Sequence, residues 1–121
     1  MTIGGVRWKH PTRPDPVPEL ERGELWWVEH PNHRSRPHLV LHRNAIVNVL
    51  PRVLAVPATR TRRGIPTEVE LDESDGVPAA CVLSLDNLTL LDRGQFTRRI
   101  TRLGPERMAA VCAALRVATG C

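Results

Sequence analysis

The sequence predicts a mainly β fold with some α: a small barrel of short, mostly antiparallel strands with one C-terminal helix packed on it. Three observations predict it. Compact Val, Leu, Ile and Trp segments of about four to eight residues alternate with Gly, Pro, Asn and Asp. A single stretch near the C-terminus repeats its apolar residues at helical spacing. The length of 121 residues fits one core.

The elements follow in order. Residues 1–19 carry Pro11, Pro14, Pro16 and Pro18, a spacing that excludes a helix and leaves at most an edge strand, so they read as a loose extension before a domain spanning residues 20–121. Arg22-Gly23 is a turn-like start to the β-rich segment ELWWVE, residues 24–29, which reads as the first strand. A polar loop at 31–36 leads to two Leu/Val strands, 37–43 and 52–57, joined by a turn-prone, Asn-containing connection. Residues 59–66 hold three arginines, a glycine and a proline, and read as an exposed loop entering a strand at 67–71. After turn-rich residues 72–78 come strands at 80–85, 88–91 and 96–103. Beyond Gly104, Pro105 suits a first helical turn, Glu106 favours its N-terminal dipole, and Gly120 is a stop. Met108, Val111, Cys112, Leu115 and Ala118 share one face of that helix, which marks core packing. With three Trp, one Phe and no Tyr to fill a core, the domain gains from dimerisation.

Composition narrows the function classes. No apolar stretch approaches the roughly 20 residues of a membrane helix. Residues 1–18 carry Arg7, Lys9, Arg13 and Asp15 and do not read as a secretory signal, so a cytoplasmic location is expected. Cys81, Cys112 and Cys121 are odd in number and irregularly spaced, which fits neither a disulfide framework nor a zinc site; Cys81 and Cys112 read as small core residues. Between His30 and Thr67 there is no acid, yet Arg34, Arg36, Arg43, Arg52, Arg60, Arg62 and Arg63 all lie there. Acids return at once in Glu68, Glu70, Asp72, Glu73 and Asp75. Such a block suits either a polyanionic partner or a solvated basic face.

The sequence lacks a phosphate-binding P-loop, a Gly-x-Ser-x-Gly elbow and a Cys-x-x-Cys pair. His30 and His33 have no adjacent acid or cysteine to complete a ligand set, and no metal or other cofactor is expected. His30, His33, His38 and His42 lie close to the arginines, where imidazoles can contact phosphate or move protons.

Four segments, taken in order, resemble a known family. Arg22-Gly23-Glu24-Leu25-Trp26-Trp27-Val28 is similar to the opening strand of MazF/PemK toxins, and Arg36-Pro37-His38-Leu39-Val40-Leu41 to their second strand. Ala55-Val56-Pro57-Ala58-Thr59 resembles the strand that ends in Thr or Ser, and Ile65-Pro66-Thr67-Glu68-Val69 the segment after it. The resemblance implies an SH3-like, CcdB-like barrel and a toxin of a type II toxin-antitoxin system. It further implies a homodimer, restrained by a MazE-like antitoxin, that cleaves single-stranded RNA without a metal through attack by the ribose 2′-hydroxyl.

By position, the implied catalytic residues are Arg36 and Thr59, flanking the scissile phosphate, with Asp86 as a third; where some members carry an arginine two residues before that acid, this chain has Ser84. Arg34, Arg60, Arg62, Arg63, His33 and His38 are expected to bind the RNA. Two other readings use the same barrel: a CcdB-like toxin that binds DNA gyrase, and an SH3-like module that holds nucleic acid without cutting it.

Overall fold

A computed structural model describes residues 18–121; the expected Pro-rich extension falls almost wholly outside them. Seven strands form one sheet: β1 (Glu24–Val28), β2 (Arg36–Val40), β3 (Arg52–Thr59), β4 (Glu68–Leu71), β5 (Cys81–Ser84), β6 (Thr89–Asp92) and β7 (Phe96–Arg102). Every pairing is antiparallel. The path runs β4-β5-β3-β2-β1-β7, with β6 also paired to β3. Its ends, β4 and β7, do not pair with each other, so the barrel-like sheet is open. A C-terminal helix, α2 (Pro105–Thr119), packs on it.

β3 explains the arrangement. Its residues alternate between two cores: Val53 and Ala55 enter one, while Leu54, Val56 and Ala58 pack into the other. Because both faces are covered, β3 reads as a nearly continuous apolar run instead of an alternating one. One edge binds β2 through His38↔Pro57, Leu39↔Val56 and Val40↔Ala55. The opposite edge is divided, with Arg52 to Ala55 bonded to β6 and Ala58 and Thr59 bonded to β5.

The first core lies between the sheet and α2, where Val111 and Ala114 are buried and Met108, Leu115 and Ala118 pack partly against it. Ala114 joins the expected stripe because it sits one turn after Val111, while Cys112 lies at the margin, its Sγ 3.5 Å from an Arg22 guanidinium nitrogen. The second core gathers Leu20, Trp26, Val28, Val40, Val47, Leu91 and Phe96 on the other face. The connection expected as a turn between β2 and β3 contains a single helical turn, α1 (Asn44–Val47), too short to carry a periodic pattern. It is fixed from outside: the Asn44 side chain accepts from Arg22 N at 2.7 Å, and Val47 is buried.

The Arg22-Gly23-Glu24 motif is architectural. Arg22 donates from its guanidinium to the Leu41 carbonyl. Gly23, at φ +91°, bridges two strands by donating to Val40 O and accepting from Leu103 N, each at 2.9 Å. A side chain there would be held in the unfavourable left-handed region. Glu24, only 7 % exposed, accepts from Trp26 Nε1, Glu21 N and Arg99 Nε, each at 2.9 Å. Burial pushes its pKa up, but the bonds from Trp26, the Glu21 backbone and Arg99 outweigh burial and hold the carboxyl below its ordinary value.

The sign of the pH effect follows. A carboxyl with a depressed folded pKa stabilises the fold above its unfolded pKa of 4.5 and loses that contribution as pH falls through the folded value. Glu24→Gln is expected to lower stability by roughly 1.5–3 kcal/mol at pH 7. In urea melts the gap between wild type and variant should narrow below pH 4.5; a gap independent of pH would contradict the assignment.

Candidate active site

The ends of β2 and β3 meet at a cleft of about 520 Å³. Continuing the antiparallel register two residues beyond His38↔Pro57 sets Arg36, the first residue of β2, opposite Thr59, the last of β3. Both line the cleft, with Arg34 and Ser35 before β2 and Arg60 and Thr61 after β3. Leu25 and Trp27 of β1, Pro37, Ala58, Ile100 of β7 and residues 77–79 supply its apolar side.

The cationic side is free to meet a ligand: Arg34, Arg36 and Arg60 make no salt bridge among the described residues. The Thr59 hydroxyl accepts from Thr61 N at 3.2 Å, which leaves its own proton available to donate. The Arg-rich connection after Thr59 is closed by Glu68, whose carboxylate accepts from Arg63 N at 3.0 and 3.2 Å and from Gly64 N at 3.0 Å.

On the far wall, Gly76 adopts φ +93°, and the Thr101 side chain occupies the space a Cβ would need. Thr101 donates to Asp75 O at 3.0 Å, and Arg107 holds the Asp75 carboxylate at 3.0 Å. This turn is thereby pressed onto β7 and α2, which places residues 77–79 against the cleft. A mouth lined by guanidinium groups and a hydroxyl beside an apolar wall can hold a phosphodiester and stabilise charge building on its oxygens.

A family profile described as "PemK-like, MazF-like toxin of type II toxin-antitoxin system" matches residues 21–119. The chain belongs to this family. Among curated relatives, the probable endoribonuclease MazF2 of Mycobacterium tuberculosis is 45 % identical over 103 residues, 84 % of this chain and 100 % of the relative. The probable endoribonuclease MazF5 of the same species is 40 % identical over 101 residues, covering 83 % and 93 %. A mycobacterial endoribonuclease solved with its cognate antitoxin superposes with a TM-score of 0.76 at 28 % identity, covering 84 % of this chain and 95 % of that one. A MazE-MazF crystal structure from Deinococcus radiodurans gives 0.72 at 30 % identity, covering 88 % and 98 %.

Not every residue expected at the site of this MazF-like chain lies there. Asp86 is in the turn after β5, at the end of that strand away from the cleft, and accepts from Thr67 Oγ1 at 2.7 Å. Arg62 and Arg63 sit on the exposed connection, Arg62 paired with Glu70 at 3.5 Å. His33 is exposed, its ring centroid 4.3 Å from that of His30.

His38 is buried in β2 with Nδ1 at 3.2 Å from the Arg36 carbonyl, beneath the site and not in it. Cys81, read as core, packs partly against the first core and also lines the cleft, and burial, reinforced by the Asp75 charge, raises its pKa. Trp27, Ile100 and the turn at 77–79 also line the cleft, although no motif marks them as site residues. The signal available for Trp27 was an aromatic two residues after Leu25 in a strand whose neighbours Leu25 and Trp26 already fill the core.

Burial lowers the His38 pKa to about 4, against the stabilising contact with the Arg36 carbonyl and with help from the Arg36 charge. The imidazole is thus neutral at physiological pH. The folded state binds fewer protons at this site than the unfolded state between about pH 4 and 6.5, so its contribution to stability declines as pH falls across that window. The His38 ring resonances, assigned by their loss in His38→Gln, should not titrate between pH 5 and 8. Titration of the His38 ring near pH 6.5 would refute this assignment.

Proposed function

We propose that this MazF-like chain is a toxin endoribonuclease that cleaves single-stranded RNA at specific sequences, with Arg36 and Thr59 as its catalytic residues. The observation that carries the assignment is their juxtaposition at one cleft mouth, flanked by Arg34 and Arg60, in a chain 45 % identical to a probable endoribonuclease.

The nucleophile comes from the substrate. The 2′-oxygen attacks the adjacent phosphorus and its proton passes to solvent. The bond from phosphorus to the 5′-oxygen breaks, and that oxygen takes a proton from water. The products carry a 2′,3′-cyclic phosphate and a 5′-hydroxyl. Charge grows on the non-bridging oxygens as the fifth bond forms, and a guanidinium with a hydroxyl donor opposes it from two sides. Arg36 acts electrostatically, because a guanidinium keeps its protons in proteins and is a poor proton donor. The reaction assigns no step to a metal.

Arg34 and Arg60 hold the phosphates on either side, with Arg62 and Arg63 extending the basic surface along the connection. Asp86, tied to Thr67, fastens the residues after β5 to the start of β4. The protein acts in the cytoplasm as a homodimer, and its growth-arresting activity is restrained by a MazE-like antitoxin. An acidic, extended antitoxin tail is complementary in charge to the arginine-lined cleft.

The test uses a long single-stranded RNA in EDTA, with cut sites and end chemistry mapped by primer extension. Wild type is expected to give discrete cuts with 5′-hydroxyl ends. Arg36→Ala should reduce the rate by roughly 10²- to 10³-fold, and Thr59→Ala should reduce it without altering the cut positions. Absence of cutting by folded wild-type dimer would overturn the assignment.

A further inference from the structure

The cleft has two chemically distinct halves. Arg34, Arg36, Thr59 and Arg60 form a polar half suited to phosphate, while Trp27 leads an apolar half with Pro37 and Ile100. A stretch of unpaired nucleic acid has the same division, with a charged backbone and apolar base faces.

Trp27 is the side chain in β1 that the core does not claim. Leu25 and Val28 are fully enclosed and Trp26 packs in the second core, whereas Trp27 is only half-buried and lines the cleft. Its ladder partners are Pro37 on β2 and Arg98 on β7. The indole Nε1 donates at 3.1 Å to Oε2 of Glu29, just past the end of the strand. That bond occupies the one polar atom of the ring and fixes the ring edge. What the indole retains for a ligand is its π-face, already oriented, so little side-chain freedom is lost on binding.

From this arrangement we infer that Trp27 is a stacking platform for the unpaired base adjoining the phosphate held between Arg36 and Thr59. The inference rests on the proposed nuclease reading for the position of that phosphate. Stacking engages a feature common to all four bases, so Trp27 contributes affinity and placement and is indifferent to base identity.

The test measures binding of a mixed-sequence, single-stranded 2′-O-methyl RNA, which cannot be cleaved, to the full-length dimer. Trp27→Ala is expected to weaken binding roughly 5- to 150-fold. Because that variant loses packing as well, Trp27→Phe and Trp27→Leu are compared. Stacking predicts that Phe restores most of the affinity and Leu little, while simple filling of the strand surface predicts that the two behave alike.

An abasic nucleotide is then moved along the RNA. Wild type should lose affinity when it occupies the position next to the scissile phosphate, and Trp27→Ala should show no further loss there. Binding by Trp27→Ala within twofold of wild type, or an equal penalty at every abasic position, would overturn the inference. Trp27-independent binding with normal cutting would sink the platform and leave the nuclease standing. Trp27-dependent binding without cutting by wild type would do the reverse.

Discussion

Everything in this fold depends on β3 being shared. One strand bonds to β2 along one edge and to β6 and then β5 along the other, and it buries side chains on both faces. A strand enclosed in this way has little freedom to slip in register, since a shift of one residue would exchange its two apolar faces. Thr59 ends that strand, and Arg36 begins the neighbour locked to it through three ladder pairs. The site therefore owes its spacing to a strand buried on both faces, although the groups themselves stand at strand ends beside loops.

Around that strand the charged residues divide their labour. Arg22, Arg93, Arg99 and Arg107 are engaged with carbonyls, an amide and carboxylates that join distant segments. Arg93, for example, donates to Asn48 O and Pro18 O, each at 3.0 Å, joining segments 45 and 75 residues away. Arg34, Arg36 and Arg60 have no such structural partner among the described residues. Arginine is suited to both roles because its planar fork can satisfy several acceptors at once or grip a phosphate.

Much of this could be read from the residues. The seven strands were legible because each is bounded by Gly, Pro, Asn or Asp, and the helix because its apolar spacing and its Gly120 stop agree. The pairing of Arg36 with Thr59 came through the family resemblance, and the register explains why those two positions belong together.

Other features were hidden for physical reasons. A single turn such as α1 has no period to detect. The histidine at position 38 looks the same in sequence whether it faces water or the core, and only β2's inward face decides it. The turn at 77–79 reaches the cleft through contacts from Gly76 to Thr101 and from Asp75 to Arg107, partners more than 20 residues apart. An acid near the end of a strand, such as Asp86, can answer a threonine as readily as a substrate.

The acids that follow the basic block also bear on the energetics of binding. Arg62 rests against Glu70 at 3.5 Å with both side chains more than half exposed, a contact worth little and easily exchanged. Glu68 takes backbone amides and not guanidinium groups, so it shapes the connection without consuming its positive charge. The condensed counterions belong to the polyanion, and an arginine releases them only to the extent that it leaves its own carboxylate to neutralise a phosphate. The salt dependence of RNA affinity should therefore reflect the unpaired cleft arginines, at a slope of about −0.7 per phosphate neutralised, and fall short of what a count of arginines between His30 and Thr67 would suggest.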